Sequence, residues 1–175
     1  MTHEQPIRLA TAAASTAGAT LEATNDFAGL LTPGRRLIGI DLGTKTIGIA
    51  LSDVSRTIAT PLETIKRVKF TPDAARLLAI AAQHNIAGFV LGLPVNMDGT
   101  EGPRAQATRA FARNINKLSQ LAILLWDERL STAAAQRTLL EADTTRKRRA
   151  EVIDKMAAGI ILQGALDRMR HQSTI

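Results

Sequence analysis

The amino-acid sequence predicts an α/β fold, a sandwich in which helices cover both faces of a mixed β-sheet. Short apolar runs punctuated by glycine follow residue 35, and segments with helical periodicity then alternate with further apolar strands. Three early strands followed by alternating helices and strands favour a mixed sheet of about five strands over a purely parallel one. With 175 residues, 45% of them hydrophobic, the chain can bury one sizeable core, and we expect a single domain.

The first 33 residues are set apart by their composition. They are rich in Ala and Thr, have no sustained apolar period and end in a Pro-Gly step. We therefore predict a flexible tail over 1–33 and a folded domain over 34–175. A secretory signal explains the segment poorly, because it lacks both a positively charged start and an unbroken apolar run of the usual length.

The predicted domain begins with three strands, which we expect to be consecutive and antiparallel. The strings RLIGIDLG (36–43) and TIGIALSD (46–53) lie close enough for a hairpin, in which Gly43 supplies the backbone freedom that a tight turn requires. The third strand falls within TIATPLETIKR (57–67).

The remaining elements alternate between helix and strand. A helix is predicted over 71–84, because Thr71 suits its N-cap, Pro72 suits its first turn and apolar residues recur on one face. The elements expected after it are a buried strand over 87–91, a loop over 92–103, a helix over 104–119, a strand over 121–126, a helix from 131–132 to about 142 and a longer helix over about 148–169.

Composition excludes several classes of site. The chain has no cysteine, so disulfides and thiolate metal sites are ruled out. His3, His84 and His171 are dispersed, which argues against a zinc site built from them. The longest strongly apolar stretch, 156–166, is too short to span a bilayer. The 22 Lys and Arg against 16 Asp and Glu leave a basic excess, all of it beyond residue 33, that suits a polyanionic partner such as nucleic acid.

Two of the acidic residues that stand out as candidate metal ligands belong to predicted strands. Asp41 lies within an otherwise apolar strand, where a carboxylate is costly unless a cation pairs with it; the alternative is that it shapes the turn near Gly43. Asp127 and Glu128 end the strand in AILLWDERL, and because adjacent strand residues point to opposite faces, only one of them can reach a given site. Surface pairing of one of them with Arg129 is the alternative.

The third candidate ligand is Asp154, on the last predicted helix. It lies beside a stripe of small and apolar residues that lets the helix press closely onto the sheet. The alternative is an exposed acid that pairs with a base four residues away, yet positions 150 and 158 are both alanine.

Three carboxylates that are distant in sequence suit metal-assisted hydrolysis of a phosphodiester. Two Mg²⁺ or Mn²⁺ ions about 3.5 to 4 Å apart can activate the attacking water and stabilise the leaving oxygen, so that no histidine base is needed. Positive side chains must then hold the phosphates that the carboxylates repel. The candidates for that task are Lys45, Arg104, Arg129, Arg146, Lys147, Arg148 and Arg149.

Four motifs resemble the YqgF/RuvX family and occur in the family's order: IGIDLGTKTIGIALSD, GLPVNMDGTEGPRAQ, WDERLST and IDKMAAGIILQ. The resemblance runs from about residue 37 to about residue 168 and leaves the predicted tail outside. It implies an RNase H-like fold and a nuclease activity. It also implies that Asp41, Glu128 and Asp154 are catalytic residues that bind Mg²⁺ or Mn²⁺.

The resemblance includes the loop over 92–103, where it implies that Asn96 and Asp98 contact the substrate or brace the site. A locally defined turn is the alternative for this loop. The chain departs from the family at Thr46, where many members carry Arg before the Ile-Gly pair. Lys45 is the alternative phosphate contact there.

From the family we expect maturation of the 5′ end of pre-16S rRNA in a bacterial cytoplasm, with resolution of Holliday junctions as the alternative. Junction resolution requires two symmetric cuts and hence a dimer, and the oligomeric state stays open. Two other classes are a non-catalytic nucleic-acid-binding module and an ATP-binding switch of the actin and Hsp70 type, which has a similar phosphate-binding hairpin. The switch needs two related domains around its nucleotide, which a single domain of this size cannot provide.

Overall fold

A computed structural model describes residues 18–131 and 146–174, with side chains in the second range described from residue 152 onwards. The helices are α1 (Thr24–Leu30), α2 (Phe70–Gln83), α3 (Pro103–Leu118) and α4 (Arg146–Gln172). A 3₁₀ turn spans Glu128–Leu130. The strands are β1 (Thr20–Leu21), β2 (Arg36–Leu42), β3 (Thr46–Ser52), β4 (Ala59–Lys66), β5 (Ile86–Leu93) and β6 (Ala122–Asp127).

Within the described ranges, six strands form one mixed sheet in the order β1-β6-β5-β2-β3-β4. Strands β2, β3 and β4 pair antiparallel, whereas β5 runs parallel to β2, and β6 runs parallel to both β5 and β1. This arrangement confirms the predicted mixed sheet in which the first three long strands are antiparallel. The sixth strand, β1, is an addition that the sequence pattern did not predict.

Helices cover both faces of the sheet and create two separate cores. Alternate residues of the strands point to opposite faces, so Ile38 and Ile40 of β2 join the core under α2 and α3. Leu37 of the same strand joins the second core, under α1 and α4, together with Phe27 and Leu162. The three-layer sandwich is therefore confirmed.

Glycines allow α4 to lie unusually close to the sheet. A Cβ atom on Gly39 of β2 would lie 2.6 Å from the Leu162 Cβ and 2.7 Å from the Ala158 carbonyl oxygen. A Cβ atom on Gly48 of β3 would overlap the carbonyl group of Asp154. Since real Cβ contacts are longer than this, any larger residue at these positions would push the helix away from the sheet.

The hairpin between β2 and β3 has the predicted location but a different reason for its glycine. The Gly43 N–H donates to the Thr46 carbonyl oxygen at 2.9 Å and closes the turn. The described glycines with a left-handed backbone are Gly18, Gly34 and Gly99, so Gly43 does not use that freedom. A Cβ atom at Gly43 would lie 2.9 Å from the Thr46 oxygen, and the position needs glycine for space.

Residues 18–33 correct the expectation of a flexible tail over 1–33. Thr20 of β1 pairs with Ile123 of β6, and the side chain of Phe27 in α1 is fully buried. A strand of two residues and a helix of seven are too short to produce a recognisable period, so composition dominated the prediction. The described part of this segment packs on the domain, and residues 1–17 lie outside the described residues.

Element boundaries differ from the sequence prediction by a few residues. Helix α2 begins at Phe70 with Lys69 as its N-cap, so Thr71 does not cap it, although Pro72 lies in the first turn. Helix α4 starts before 148 and ends after 169. The helix expected from 131–132 to about 142 lies outside the described residues, apart from Ser131. No helix in the described ranges is both long and apolar enough to cross a membrane.

Candidate active site

The three predicted acids lie at one end of the sheet. Asp41 is near the end of β2, Glu128 follows the last residue of β6, and Asp154 lies in the first third of α4. Strands β2, β5 and β6 are parallel, so their carboxyl ends meet at the same edge. In open α/β sheets this edge is where ligands bind.

Asp41 is 3% exposed and points toward α4. It lies two residues after Gly39, which α4 covers, and residues two apart on a strand share a face. In the antiparallel pair with β3, Asp41 lies directly opposite Gly48. In the parallel pair with β5, Ile40 is in register with Leu91, so Gly92 is the next residue along and lies beside Asp41. A glycine therefore lies on each side of this buried carboxylate.

Asp154 lies over the first of these glycines. The helix backbone at Asp154 occupies the space where Gly48 would carry a Cβ atom. The Thr46 hydroxyl donates a hydrogen bond to the Asp154 carboxylate, which fixes the side chain over the start of β3. Since Gly48 is the neighbour of Asp41, helix α4 brings the second acid to the strand next to the first.

Glu128 lies over the glycine on the other side. A Cβ atom on Gly92 would lie 2.7 Å from the Glu128 Oε1 atom and 2.6 Å from the Ile161 Cδ1 atom. The Glu128 carboxylate is therefore on the face that packs against α4, the face to which Asp41 points. Any side chain at position 92 would displace it.

Gly48, Asp41 and Gly92 thus form one row across three adjacent strands, which spans about 10 Å at a strand spacing of about 4.8 Å. Asp41 is the middle residue of this row, and Asp154 and Glu128 lie over its two glycines. Within 18–131 and 146–174, no set of three or more His, Asp or Glu side chains is arranged to hold a metal ion. The structure brings the three acids to neighbouring positions. Their joint ligation of a metal stays a prediction.

Asp127 does not join this row. The Arg129 backbone N–H donates to the Asp127 carboxylate at 2.9 Å, and the Arg129 guanidinium donates to it at 2.7 Å. These bonds hold the pKa of Asp127 below its ordinary value and raise the pKa of Arg129. Of the two adjacent acids, Asp127 therefore forms the surface pair and Glu128 faces α4. The arginine predicted to bind substrate is already partly neutralised.

The loop between β5 and α3 is held by its own side chains. The Asn96 side-chain amide donates to the Thr100 hydroxyl at 2.9 Å, and Asp98 accepts from the backbone N–H and the hydroxyl of Thr100. The hydroxyl and backbone N–H of Thr100 lower the pKa of Asp98. Glu101 pairs with Arg109 of α3. Asn96 and Asp98 therefore brace the loop, and direct substrate contact by them stays a prediction.

The predicted cations fall into two groups. Lys45, at the tip of the β2–β3 hairpin, and Arg104, in the first turn of α3, are exposed at the edge that carries the acids. For Arg146, Lys147, Arg148 and Arg149 the structure describes the helix but no side chains, so their contacts lie outside the described residues. All of these substrate-binding roles stay predictions.

A cavity of about 460 Å³ lies beside this edge, but the three acids do not line it. Its lining includes Arg109, Asp127, Arg129 and Arg168, so it opens beyond the ends of β5 and β6 rather than over the row of acids. The acids themselves lie along the sheet's edge and not in this cavity.

Thr46 is a candidate site residue that sequence reasoning missed. Its hydroxyl orients the Asp154 carboxylate, whereas the sequence singled it out only as a departure from the Arg of many relatives. A signal was present, because Thr46 lies two residues before Gly48 and so shares the face of the sheet on which α4 packs.

Comparison with known proteins gives consistent matches. A family model described as "RuvX: Holliday junction resolvase" matches residues 35–168. A protein of Ruegeria pomeroyi named "Putative pre-16S rRNA nuclease" is 65% identical over 150 residues, which are 86% of this chain and 97% of that protein. A Roseobacter denitrificans protein with the same name is 66% identical over 152 residues, 86% of this chain and 93% of that protein.

Among solved structures, Thermus thermophilus RuvC in complex with a Holliday junction substrate matches 77% of this chain and 96% of its own, at 13% identity and a TM-score of 0.49.

Proposed function

The chain belongs to the RuvX family, and we propose that it is a metal-dependent endonuclease that hydrolyses phosphodiesters at the 5′ end of pre-16S rRNA. The observation that carries this proposal is the row of three strand positions. Asp41 is buried between two glycines, and the other two acids, Asp154 and Glu128, lie over those glycines. A fold that only bound nucleic acid would gain nothing from collecting three carboxylates where phosphate must approach.

The chemistry of the three carboxylates suits a divalent cation. Hard oxygen donors suit Mg²⁺ and Mn²⁺, and Asp41, Glu128 and Asp154 supply six carboxylate oxygens between them. The absence of a side chain at Gly48 lets the helix backbone at Asp154 lie against β3, and its absence at Gly92 leaves room for the Glu128 carboxylate. When bound there, such ions would lower the pKa of a coordinated water and offset the charge of the leaving oxygen.

The chain's own residues hold this arrangement in place. The β2 backbone fixes Asp41 in a buried position, and the Thr46 hydroxyl fixes the Asp154 carboxylate. The turn after β6 is closed by the Ser131 N–H, which donates to the Glu128 carbonyl oxygen at 3.2 Å. Such constraints keep the oxygens preorganised, so little reorganisation is needed when a phosphate arrives.

Positive charge must offset the repulsion between the acids and a phosphate. Lys45 lies one residue from Thr46 and is exposed at the hairpin tip, so it is the best placed of the cations predicted from the sequence. Arg129 already forms an ion pair with Asp127, so its guanidinium is a weaker candidate for binding phosphate. A cytoplasmic location stays a prediction.

The test is a cleavage assay on two substrates, an RNA that carries the 5′ extension of pre-16S rRNA and a four-way DNA junction. Each is incubated with Mg²⁺ or Mn²⁺ and either the wild-type chain or Asp41→Asn. We expect the wild type to cut the RNA, and the variant to bind it without cutting. The junction is included because the family description names Holliday junction resolvase. If the chain made paired cuts in the junction and none in the RNA, the substrate would be the junction. If it bound both substrates and cut neither, the chain would be a nucleic-acid-binding module and not a nuclease.

A further inference from the structure

A group of basic residues occupies the end of β4, outside the set that the sequence singled out. Lys66 is the last residue of β4, and Arg67 and Lys69 follow before α2 begins. All three are exposed, as is Lys45 at the neighbouring hairpin tip. The Arg67 N–H donates to the Lys45 carbonyl oxygen at 2.9 Å and ties the two turns together. We refer to Lys45, Lys66 and Lys69 as the basic strip.

The register of the sheet puts Lys66, the central residue of the basic strip, next to the acids. Lys66 lies directly opposite Thr46 in the antiparallel pair of β3 and β4. Opposite residues in such a pair point to the same face, with Cβ atoms about 4.5 to 5.5 Å apart. Thr46 on that face donates its hydroxyl to Asp154. The side chain of Lys66 therefore leaves the sheet on the face of the acids, one strand beyond Asp154.

Arg67 has a structural task and is not counted in the strip. Its guanidinium donates to the Gly43 carbonyl oxygen at 2.7 Å and lies 3.9 Å from the buried Asp73 carboxylate. These contacts hold the end of β4 against the β2–β3 turn. Asp73 is 3% exposed and accepts a hydrogen bond from the Val68 N–H at 3.1 Å. Its carboxylate therefore has a structural role beneath the strip.

The chemistry of the strip favours a phosphate backbone over bases. Phe70, the aromatic residue next to Lys69, packs edge-on against Phe111 with ring centroids 5.8 Å apart. It is therefore engaged in the core rather than available for stacking on a base. Lysines without aromatic neighbours bind phosphates as point charges and read no sequence.

We propose that Lys66, with Lys45 and Lys69 at the same edge of the sheet, binds phosphates of the substrate strand where it leaves the three acids on the β4 side. This inference rests on the proposed nuclease function and adds the path that the substrate strand takes across the site. The substrate strand passes the acids and then crosses the start of β3 and the end of β4, over about 10 Å at a strand spacing of about 4.8 Å. The bound species is a single nucleic-acid strand rather than an acidic protein, because Lys66 lies one strand beyond the acids to which the proposed function assigns phosphodiester hydrolysis.

The experiment compares two double variants of the full chain. Lys66→Gln with Lys69→Gln removes two charges of the strip, whereas Arg113→Gln with Lys117→Gln removes two exposed charges from the far half of α3. The affinity of each for a single-stranded RNA oligonucleotide is measured in EDTA, which prevents cleavage, at several salt concentrations. Melting curves check that both variants are folded.

We expect the strip variant to bind about ten-fold more weakly at low salt, and the plot of log K against log salt to become shallower by about 1.4. The α3 variant should keep the wild-type slope. Equal slopes for the wild type and the strip variant, or equal losses in the two variants, would overturn the proposal. So would the absence of wild-type binding.

A cleavage assay separates this inference from the function on which it rests. If the wild type cuts RNA and Asp41→Asn does not, while the strip variant binds RNA normally, the nuclease proposal is supported and the proposed role of the basic strip is wrong. If no cleavage occurs but RNA binding depends on Lys66 and Lys69, the basic strip is a binding surface and the nuclease proposal is wrong. In an active enzyme, the strip variant should raise KM about ten-fold and leave kcat within about two-fold.

Discussion

The hydroxyl of Thr46 donates a hydrogen bond to the carboxylate of Asp154, 108 residues away in the chain. Thr46 begins β3, in the hairpin that carries Asp41 on its other strand, and Asp154 lies on α4. The contact therefore fixes the acid of the helix relative to the acid of the hairpin. The arrangement of the candidate metal ligands depends on a residue that is not itself an acid.

Removing this hydroxyl should impair the chemical step more than substrate binding. We expect Thr46→Val to lower kcat for RNA cleavage about ten-fold with KM little changed, because a partner that orients a ligand typically contributes 10- to 100-fold. Thr46→Ser keeps the hydroxyl and should retain most of the activity. Thr60→Val, at an exposed position near the start of β4, is the matched control. Equal kcat values for the Val and Ser variants at position 46 would contradict the positioning role.

Gly92, which lies beneath Glu128, should be as important for cleavage as Glu128 itself. In Gly92→Ala the new methyl group would meet the Glu128 Oε1 and Ile161 Cδ1 atoms, so the carboxylate must move. A displacement of about 1 Å at a catalytic group costs up to about 100-fold in rate. We expect a loss of this order in cleavage, with a folded protein by circular dichroism. Gly29→Ala in α1, where nothing lies within 4 Å of the added atom, should cleave normally. Wild-type activity in Gly92→Ala would mean that Glu128 does not need its present position.

The segment before residue 34 should contribute to stability. Phe27 is fully buried in the core beneath α1 and α4. We expect Phe27→Ala to lower the free energy of unfolding in urea by about 3 to 5 kcal/mol. Leu30→Ala, at a position that is 37% exposed, should cost less than about 1 kcal/mol. If both substitutions had the same small effect, this segment would be an appendage rather than part of the domain.

Asp53 should make the stability of the fold depend on pH in the acid range. Backbone N–H bonds from Ile58 and the hydroxyl of Ser55 lower the pKa of Asp53 from 3.8 to about 2. A depressed pKa in the folded state means that the carboxylate stabilises the fold above pH 3.8, and that this contribution is lost as the pH falls toward 2.

Melting temperatures of the wild type and Asp53→Asn, recorded between about pH 5 and pH 2, test this linkage. The wild type should melt at the higher temperature at pH 5, and the two curves should converge toward pH 2. Because Asp53 is at the surface, solvent screening keeps the effect small. Curves that stay parallel over the whole range would show that the ionisation of Asp53 has no part in stability.

The long elements of the fold could be predicted from sequence because their patterns extend over many residues. Strands β2 and β3 repeat apolar residues around glycines, and α2 and α3 carry clear apolar faces. Strand β1 and helix α1 were missed, since two and seven residues are too few to carry a period. Their stability comes from tertiary pairing with β6 and from the burial of Phe27, neither of which is a local property of the sequence.

The candidate site could be predicted only in part. Burial of Asp41 follows from its place in an apolar strand. Strand parity predicted that Asp127 and Glu128 cannot reach the same site, and in the structure they do lie apart, although Glu128 belongs to the 3₁₀ turn after β6. The contact of α4 with Gly48 does not follow from either, because it depends on how closely two distant segments pack. The basic strip was missed for the same reason. Lys66 becomes a neighbour of the site only through its register with Thr46.

The most direct test of the shared metal site is titration of Mn²⁺ into the wild-type chain and into Asp41→Asn, Glu128→Gln and Asp154→Asn, followed by calorimetry. If the three carboxylates hold the same ions, each single substitution should weaken Mn²⁺ binding at least about ten-fold, and combining two should add little. Asp98→Asn, in the braced loop after β5, should bind as the wild type does. Undiminished Mn²⁺ binding in all three acid variants would contradict the account.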